Sequence, residues 1–239
     1  MNASQSLMKY IAYEGRPLVV ALVGAGGKTT TMYQLAHLCK ERNLRVLITT
    51  TTKIRPPSQG QVDRVHLTSQ AFAPIAKGEI LGVTHGLETD GKWSGVSPSV
   101  IDKWKKDYHF DVLICEADGA KEKSLKAPRQ GEPLVPDLTD LVMGFMGLSV
   151  VGMAAGEAVI HRFSLFQQLT PIQENDAIEL DHLAAVALHP NGLFRGVGRS
   201  SKKLVCLTKQ GRPDGDQLAQ AFMKALDIGE PMMVEVLGR

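Results

Sequence analysis

The chain has 239 residues, 44% of them hydrophobic, with 27 basic and 25 acidic side chains and a formal charge of +2. That supplies apolar material for a sizeable core, in one large domain or two small ones. The near-balanced charge, the lack of a long basic run and the presence of only two tryptophans, Trp93 and Trp104, argue against a nucleic-acid partner.

Residues 1–17 contain no continuous apolar core, and no apolar run reaches membrane-spanning length. The expectation is a cytoplasmic chain with no membrane contact. The longest apolar candidate, 141–155, is interrupted by Gly144, Gly147, Ser149 and Gly152 and reads as a buried strand plus loop. Cys39, Cys115 and Cys206 are widely spaced and odd in number, which argues against disulfides and a zinc site; they read as small core residues.

The first predicted strand, 18–23, runs into Gly24-Ala25-Gly26-Gly27-Lys28-Thr29-Thr30 and then into a helical pattern over 29–42. Strand, glycine-rich turn and helix form a phosphate-binding loop. Glycines let successive backbone N–H groups turn onto phosphate oxygens, and the helix N-terminus adds partial positive charge. Lys28 reaches the outer phosphates, and the Thr29 hydroxyl ligates magnesium. The full pattern G-x-x-x-x-G-K-[ST] would need glycine where Leu22 stands, so the motif is the shorter G-x-x-G-K-T. The site is expected to bind ATP or GTP with Mg2+ through Gly24, Ala25, Gly26, Gly27, Lys28, Thr29 and Thr30.

Further strands are predicted over 45–50, 80–84, 112–116, 141–145, 204–208 and 232–237, and helices over 98–108, around 162–169, 177–188 and 215–227. Several strands are unbroken apolar runs, as in a parallel sheet covered on both faces. The alternation predicts a three-layer α/β/α domain of P-loop NTPase type over 1–239, with a mainly parallel sheet and insertions. Ser97-Pro98 reads as an N-cap and first turn. Pro56 to Gly60 is a loop, and 87–96, with Asp90-Gly91 at its turn, reads as a small β-hairpin. The irregular span 119–140, rich in proline and lysine, is long enough to suggest function.

The second strand ends in Thr49-Thr50-Thr51-Thr52-Lys53, where Thr52 and Lys53, with Thr51, are candidates for anion contacts past the strand end. The run Val112-Leu113-Ile114-Cys115-Glu116, followed by Asp118, places two acids beyond the carboxyl end of a strand, where ligands bind in open α/β sheets. Glu116 would hold the metal with Thr29, and Asp118 would orient the attacking group. Lys121, Lys123, Lys126 and Arg129 follow closely, one or two of them expected to reach a phosphate or an anionic substrate, and His161 is a candidate acid or base. Guanine-reading NTPases carry N-K-x-D after a late strand. Here Thr208-Lys209-Gln210-Gly211 shares only the lysine, so the base is undetermined.

The compact loop resembles those of Mur ligases and some metallochaperone-type NTPases. More of the chain resembles the YqeC family: VGAGGKTTTMYQLA (23–36), VLITTTTKI (46–54), CEADGAKEKSLKAP (115–128), GEPLVP (131–136), VIHR (159–162) and HPNGLFRG (189–196). That resemblance implies a P-loop NTPase fold and an accessory role in maturing selenium-dependent molybdenum hydroxylases, with such a hydroxylase or its cofactor as partner. It carries over Gly24, Gly26, Gly27, Lys28, Thr29, Glu116, Asp118 and Lys126, and more loosely His161 and Arg195. The leading expectation is a magnesium-dependent NTPase or phosphotransferase. A nucleotide-gated chaperone that docks on a hydroxylase, and a Mur-like ATP-dependent ligase, are the alternatives.

Overall fold

A computed structural model of the chain describes residues 5–68, 74–209, 211–226 and 233–238. Among them, eight strands form one sheet: β1 Leu18–Gly24, β2 Val46–Thr50, β3 Arg64–Leu67, β4 Ile80–Thr84, β5 Val112–Glu116, β6 Leu141–Gly147, β7 Lys202–Thr208 and β8 Met233–Leu237. The order is β8-β7-β6-β1-β5-β2-β4-β3, and every neighbouring pair is parallel.

Alternate residues of the strands feed opposite faces. On one face Val20, Leu22, Ile48, Ile114 and Phe145 pack against Met32, Tyr33, Leu35 and Cys39 of α1, Lys28–Glu41. On the other face, Val19, Leu47 and Leu113 meet Ile101 and Trp104 of α2, Pro98–Lys106. Ala21, Val23, Val142 and Val205 on that face meet α3, Phe163–Phe166, α4, Leu180–Leu188, and α5, Gly215–Ala225. Burying both faces makes the apolar runs unbroken, and the result is the expected α/β/α layering. All three cysteines are buried thiols.

Several element ends differ from the sequence expectation for local reasons. The predicted strand over 232–237 is found from Met233, Met232 lying outside the described residues; so does Asp227 at the end of the predicted helix 215–227. Strand β3 was not expected. It is an edge strand in which only His66 of Arg64–Leu67 is buried, so no apolar run announces it. Helix α2 stops at Lys106, two residues short, because Tyr108 turns to φ +57°. Ser97 stands at its N-cap as expected, but its hydroxyl lies 3.0 Å from that of Ser99 and caps nothing. Helix α4 begins at Leu180 rather than at 177, where Glu179 and His182 exchange capping bonds.

The expected hairpin is present as Gly86–Leu87 antiparallel to Trp93–Ser94, and Lys53–Ile54 adds a third strand to it. The long 119–140 segment is anchored: Leu125–Lys126 pairs in parallel with Ile160–His161. No helix of the described residues is long and apolar enough to cross a membrane.

Candidate functional site

β1 is the point where the chain's direction across the sheet reverses. From β1 the chain passes through α1 to β2 on the β5 side, whereas β6 lies on the other side of β1. Ligands of open α/β sheets bind outside the strand ends at such a point. The turn there is Gly24–Gly27. Leu22 is a fully buried β1 residue on the α1 face, so the turn begins two residues later than in the longer motif.

Close packing holds the turn in shape. Gly24 has φ +87°, and a Cβ there would stand 2.3 Å from the Phe145 carbonyl oxygen. Gly26 has φ +94°, and its Cβ would stand 2.9 Å from the Gly147 nitrogen. Any L side chain is strained at either position. Ala25 N–H donates to the Phe145 carbonyl at 2.9 Å, and the Thr208 hydroxyl donates to the Gly26 carbonyl at 2.7 Å. Helix α1 starts directly after, with Gly27 as an N-cap that offers no side-chain acceptor and no acid in the first turn. The first-turn amides of Lys28, Thr29 and Thr30 have no acceptor inside the helix.

The sequence-predicted acids converge on this turn. The Thr29 hydroxyl donates to Glu116 Oε2 at 2.6 Å. Lys28 Nζ donates to the Gly24 carbonyl at 2.5 Å and lies 3.7 Å from Glu116 Oε1. It also lies 3.0 Å from Asp118 Oδ1, but off line for a hydrogen bond, so that oxygen is ion-paired and otherwise unpartnered. Asp118 Oδ2 accepts the Gly24 N–H at 2.9 Å and the Lys126 ammonium at 2.9 Å. Lys126 also donates to the Gly119 carbonyl at 2.8 Å.

All four charges are buried: Lys28 4% exposed, Glu116 6%, Asp118 2% and Lys126 4%. Burial pulls the Lys28 ammonium down, but Asp118 and Glu116 outweigh it and the group ends above its ordinary value. Burial raises the Glu116 carboxyl, against the opposing Lys28 charge and the Thr29 hydrogen bond. Burial lowers the Lys126 amine; Asp118 opposes and the Lys28 charge adds to the fall.

Beyond Lys126 the charges continue through a residue that the sequence did not single out. Glu132 Oε2 lies 3.4 Å from Lys126 Nζ, and both its oxygens take a two-pronged bond from Arg162 at 2.6 and 2.9 Å. Arg129 Nε adds a third donor at 2.8 Å. Glu132 thus ties the 119–140 segment to the start of α3. Its GEPLVP context was the only sequence cue.

The other candidates are placed as follows. Thr52 is half-buried, its hydroxyl 3.4 Å from that of Thr50. Lys53 stands on the small antiparallel sheet and pairs with Glu88 at 2.7 Å. Arg195 lies in the turn after α4, with its N–H on the Gly192 carbonyl. Lys209, the one residue shared with a guanine-reading motif, pairs with Asp216 at 2.8 Å.

His161 is buried beside this network. Burial first, then the Arg162 and Lys126 charges, lower its imidazole from 6.5 to about 4. It is therefore neutral at neutral pH. The unfolded chain takes up that proton near 6.5 while the folded chain refuses it until about 4. Its contribution to stability is complete above the unfolded value and fades as pH falls through this window. Between pH 7 and 4.5 the wild type should lose about 2 kcal/mol more stability than His161→Gln. Parallel urea-unfolding curves for the two chains at both pH values would refute this.

Residues 20–164 match a family described as YqeC protein. A protein of Escherichia coli (strain K12), named "Uncharacterized protein YqeC", is 34% identical over 193 residues, covering 79% of this chain and 75% of that protein.

Proposed function

The chain belongs to the YqeC family, and on that premise we propose that it is a magnesium-dependent nucleotide-binding P-loop NTPase or phosphotransferase. Its role, from the family resemblance, is accessory to the maturation of a selenium-dependent molybdenum hydroxylase. The observation that carries the reading is the meeting of Lys28, Thr29, Glu116 and Asp118 at the uncapped start of α1. The amides of the glycine turn and of the first helical turn would take the phosphate oxygens of ATP or GTP. Lys28 would leave its acidic partners for the transferred phosphoryl group, and Asp118, steadied by Lys126, would position the attacking group.

The Thr29 hydroxyl and the Glu116 carboxylate, already 2.6 Å apart, are hard oxygen donors that fit magnesium. Among the described residues no group of three or more His, Cys, Asp or Glu could hold a metal unaided, so nucleotide phosphates and waters would complete its shell. Bound there, the metal would neutralise charge on the outer phosphates.

Calorimetric titration of the wild-type chain with ATP and GTP, with and without Mg2+, tests this reading. Binding should strengthen at least about tenfold with Mg2+, and Thr29→Val should erase most of that gain, one charge-linked contact being worth about 1.5–3 kcal/mol. A wild-type chain that binds neither nucleotide, or binds them equally with and without metal, removes the proposal.

One observation favours a second reading, the nucleotide-gated docking protein. The alternating charges Glu116, Lys28, Asp118, Lys126, Glu132 and Arg162 join the phosphate turn to the 119–140 segment. A nucleotide that draws Lys28 away would change the balance along that row. Slow intrinsic turnover, stimulated by a partner hydroxylase, would mark this case.

A further inference from the structure

His161 is a buried group beside the site that the nucleotide reading leaves unused. Its strand partner, residue for residue, is Lys126, and paired residues of neighbouring strands share a face. The imidazole therefore stands on the face from which Lys126 reaches Asp118. The residue is 8% exposed. Among the described residues no protein group hydrogen-bonds its ring, and the ring nitrogens are not sealed from solvent. A neutral imidazole has one N–H to donate.

The surroundings of that donor are positive. The charges of Arg162, Lys126, Lys121 and Lys123 all act on the ring. Glu132 answers Arg162, and Asp118 answers Lys126. Glu122, between the two remaining lysines, is paired with Arg55. Lys121 is exposed and Lys123 half-buried, and neither has an ion pair among the described residues. Two ammoniums and one N–H thus stand together with no carboxylate of the described chain bonded to any of them.

The segment that carries these lysines is held in an unfavourable shape. Among the described residues six non-glycine residues have positive φ, and three belong here: Lys121 at +48°, Glu122 at +63° and Arg162 at +61°. Strain of this kind gathers at ligand clamps. The 119–124 turn is also pinned beside the phosphate turn. The Ser124 carbonyl accepts the Gly147 N–H at 2.9 Å, and Gly147 packs against Gly26.

The charge count selects the ligand. A phosphate monoester carries close to two negative charges at neutral pH and three strong acceptor oxygens, which match two ammoniums and one N–H. A carboxylate brings one charge and two oxygens. We propose that Lys121, Lys123 and His161 form a second anion site, separate from the phosphate turn, that takes the phosphate monoester group of a small molecule. Asp118 stands between the two sites, with Lys28 at one oxygen and Lys126 at the other. The second site goes beyond the nucleotide reading and does not depend on it.

Methyl phosphate, with dimethyl phosphate as its singly charged counterpart, tests this at neutral pH and constant ionic strength. NMR signals of the His161 ring report the second site, and the Gly27 amide reports the phosphate turn. Methyl phosphate should shift the ring signals and bind there at least about tenfold more tightly than dimethyl phosphate, and Lys121→Ala combined with Lys123→Ala should weaken it at least about tenfold. Sulfate stays a dianion in acid and reads the ring directly. With sulfate in place of chloride at equal ionic strength, the imidazole should titrate at least about one pH unit higher in the wild type and not in the double variant. A ring that ignores methyl phosphate, equal affinity for the two esters, a double variant that binds as the wild type does, or a ring titration unmoved by sulfate overturns the proposal. Methyl phosphate that shifts Gly27 and leaves His161 unmoved has gone to the phosphate turn, which overturns the second site and supports the nucleotide reading. A response at His161 in a chain that binds no Mg-ATP keeps the second site and removes the nucleotide reading.

Discussion

Lys28→Met should abolish nucleotide turnover, with a loss of at least about a hundredfold, since one preorganised charge aimed at a transition state is worth about 10²–10³ in rate. The same change has a structural cost that must be separated from the chemical one. Lys28 is the ammonium that faces both Asp118 and Glu116, and all three are almost fully buried. Removing one partner of a buried pair leaves uncompensated charge and costs about 3–5 kcal/mol. Here the low end is expected, because Asp118 keeps Lys126 and Glu116 keeps the Thr29 hydroxyl. Adding Glu116→Gln, whose amide oxygen can still accept from Thr29, to Lys28→Met should restore much of the stability and none of the turnover. Denaturant unfolding and single-turnover phosphate release, measured on both chains, separate the two effects. A Lys28→Met chain that binds and turns over nucleotide as the wild type does would leave the phosphate turn as mere architecture.

That turn was legible in the sequence because its chemistry is local. Gly24 and Gly26 are read as turn residues wherever they stand, and Lys28 and Thr29 follow them directly. Glu116 and Asp118 were legible for a related reason: four apolar residues before them mark a covered strand, and an acid at its tip must emerge at the sheet's edge. Partners distant in sequence left no such trace. Glu132 and Arg162 stand 30 residues apart with the whole of β6 between them, and the pairing of Leu125–Lys126 with Ile160–His161 brings them together. The edge strand β3 and the unpartnered Tyr33 hydroxyl were equally silent. The first lacks an apolar pattern, and the second is set by what does not reach it.

Glu132 is where that hidden part of the site can be probed hardest. It is the shared anion of Lys126, Arg162 and Arg129. Glu132→Ala would strand the Lys126 ammonium, whose side chain is 2% exposed, with Asp118 as its remaining carboxylate. A loss of about 3–5 kcal/mol at neutral pH is expected, and a smaller loss for Glu132→Gln, which keeps a hydrogen-bond acceptor for Arg162. Acid provides a second readout. Burial raises the Glu132 carboxyl, but the Arg162 hydrogen bonds and the charges of Lys126, Arg162 and Arg129 outweigh it and hold it at about 2 rather than 4.5. A depressed carboxyl stabilises the fold above its unfolded value and loses that contribution as pH falls towards the folded one. The wild type should therefore shed about 2 kcal/mol between pH 4.5 and 2 that Glu132→Gln, with nothing to protonate, does not. If Glu132→Ala costs less than about 1 kcal/mol and the two acid profiles coincide, the ionic row is ornamental. If both effects appear, one more comparison decides whether the row transmits. Glu132→Gln leaves the phosphate turn itself unaltered, so weaker Mg-ATP binding in that variant reports coupling along Asp118 and Lys126, and equal binding confines Glu132 to holding the 119–140 segment in place.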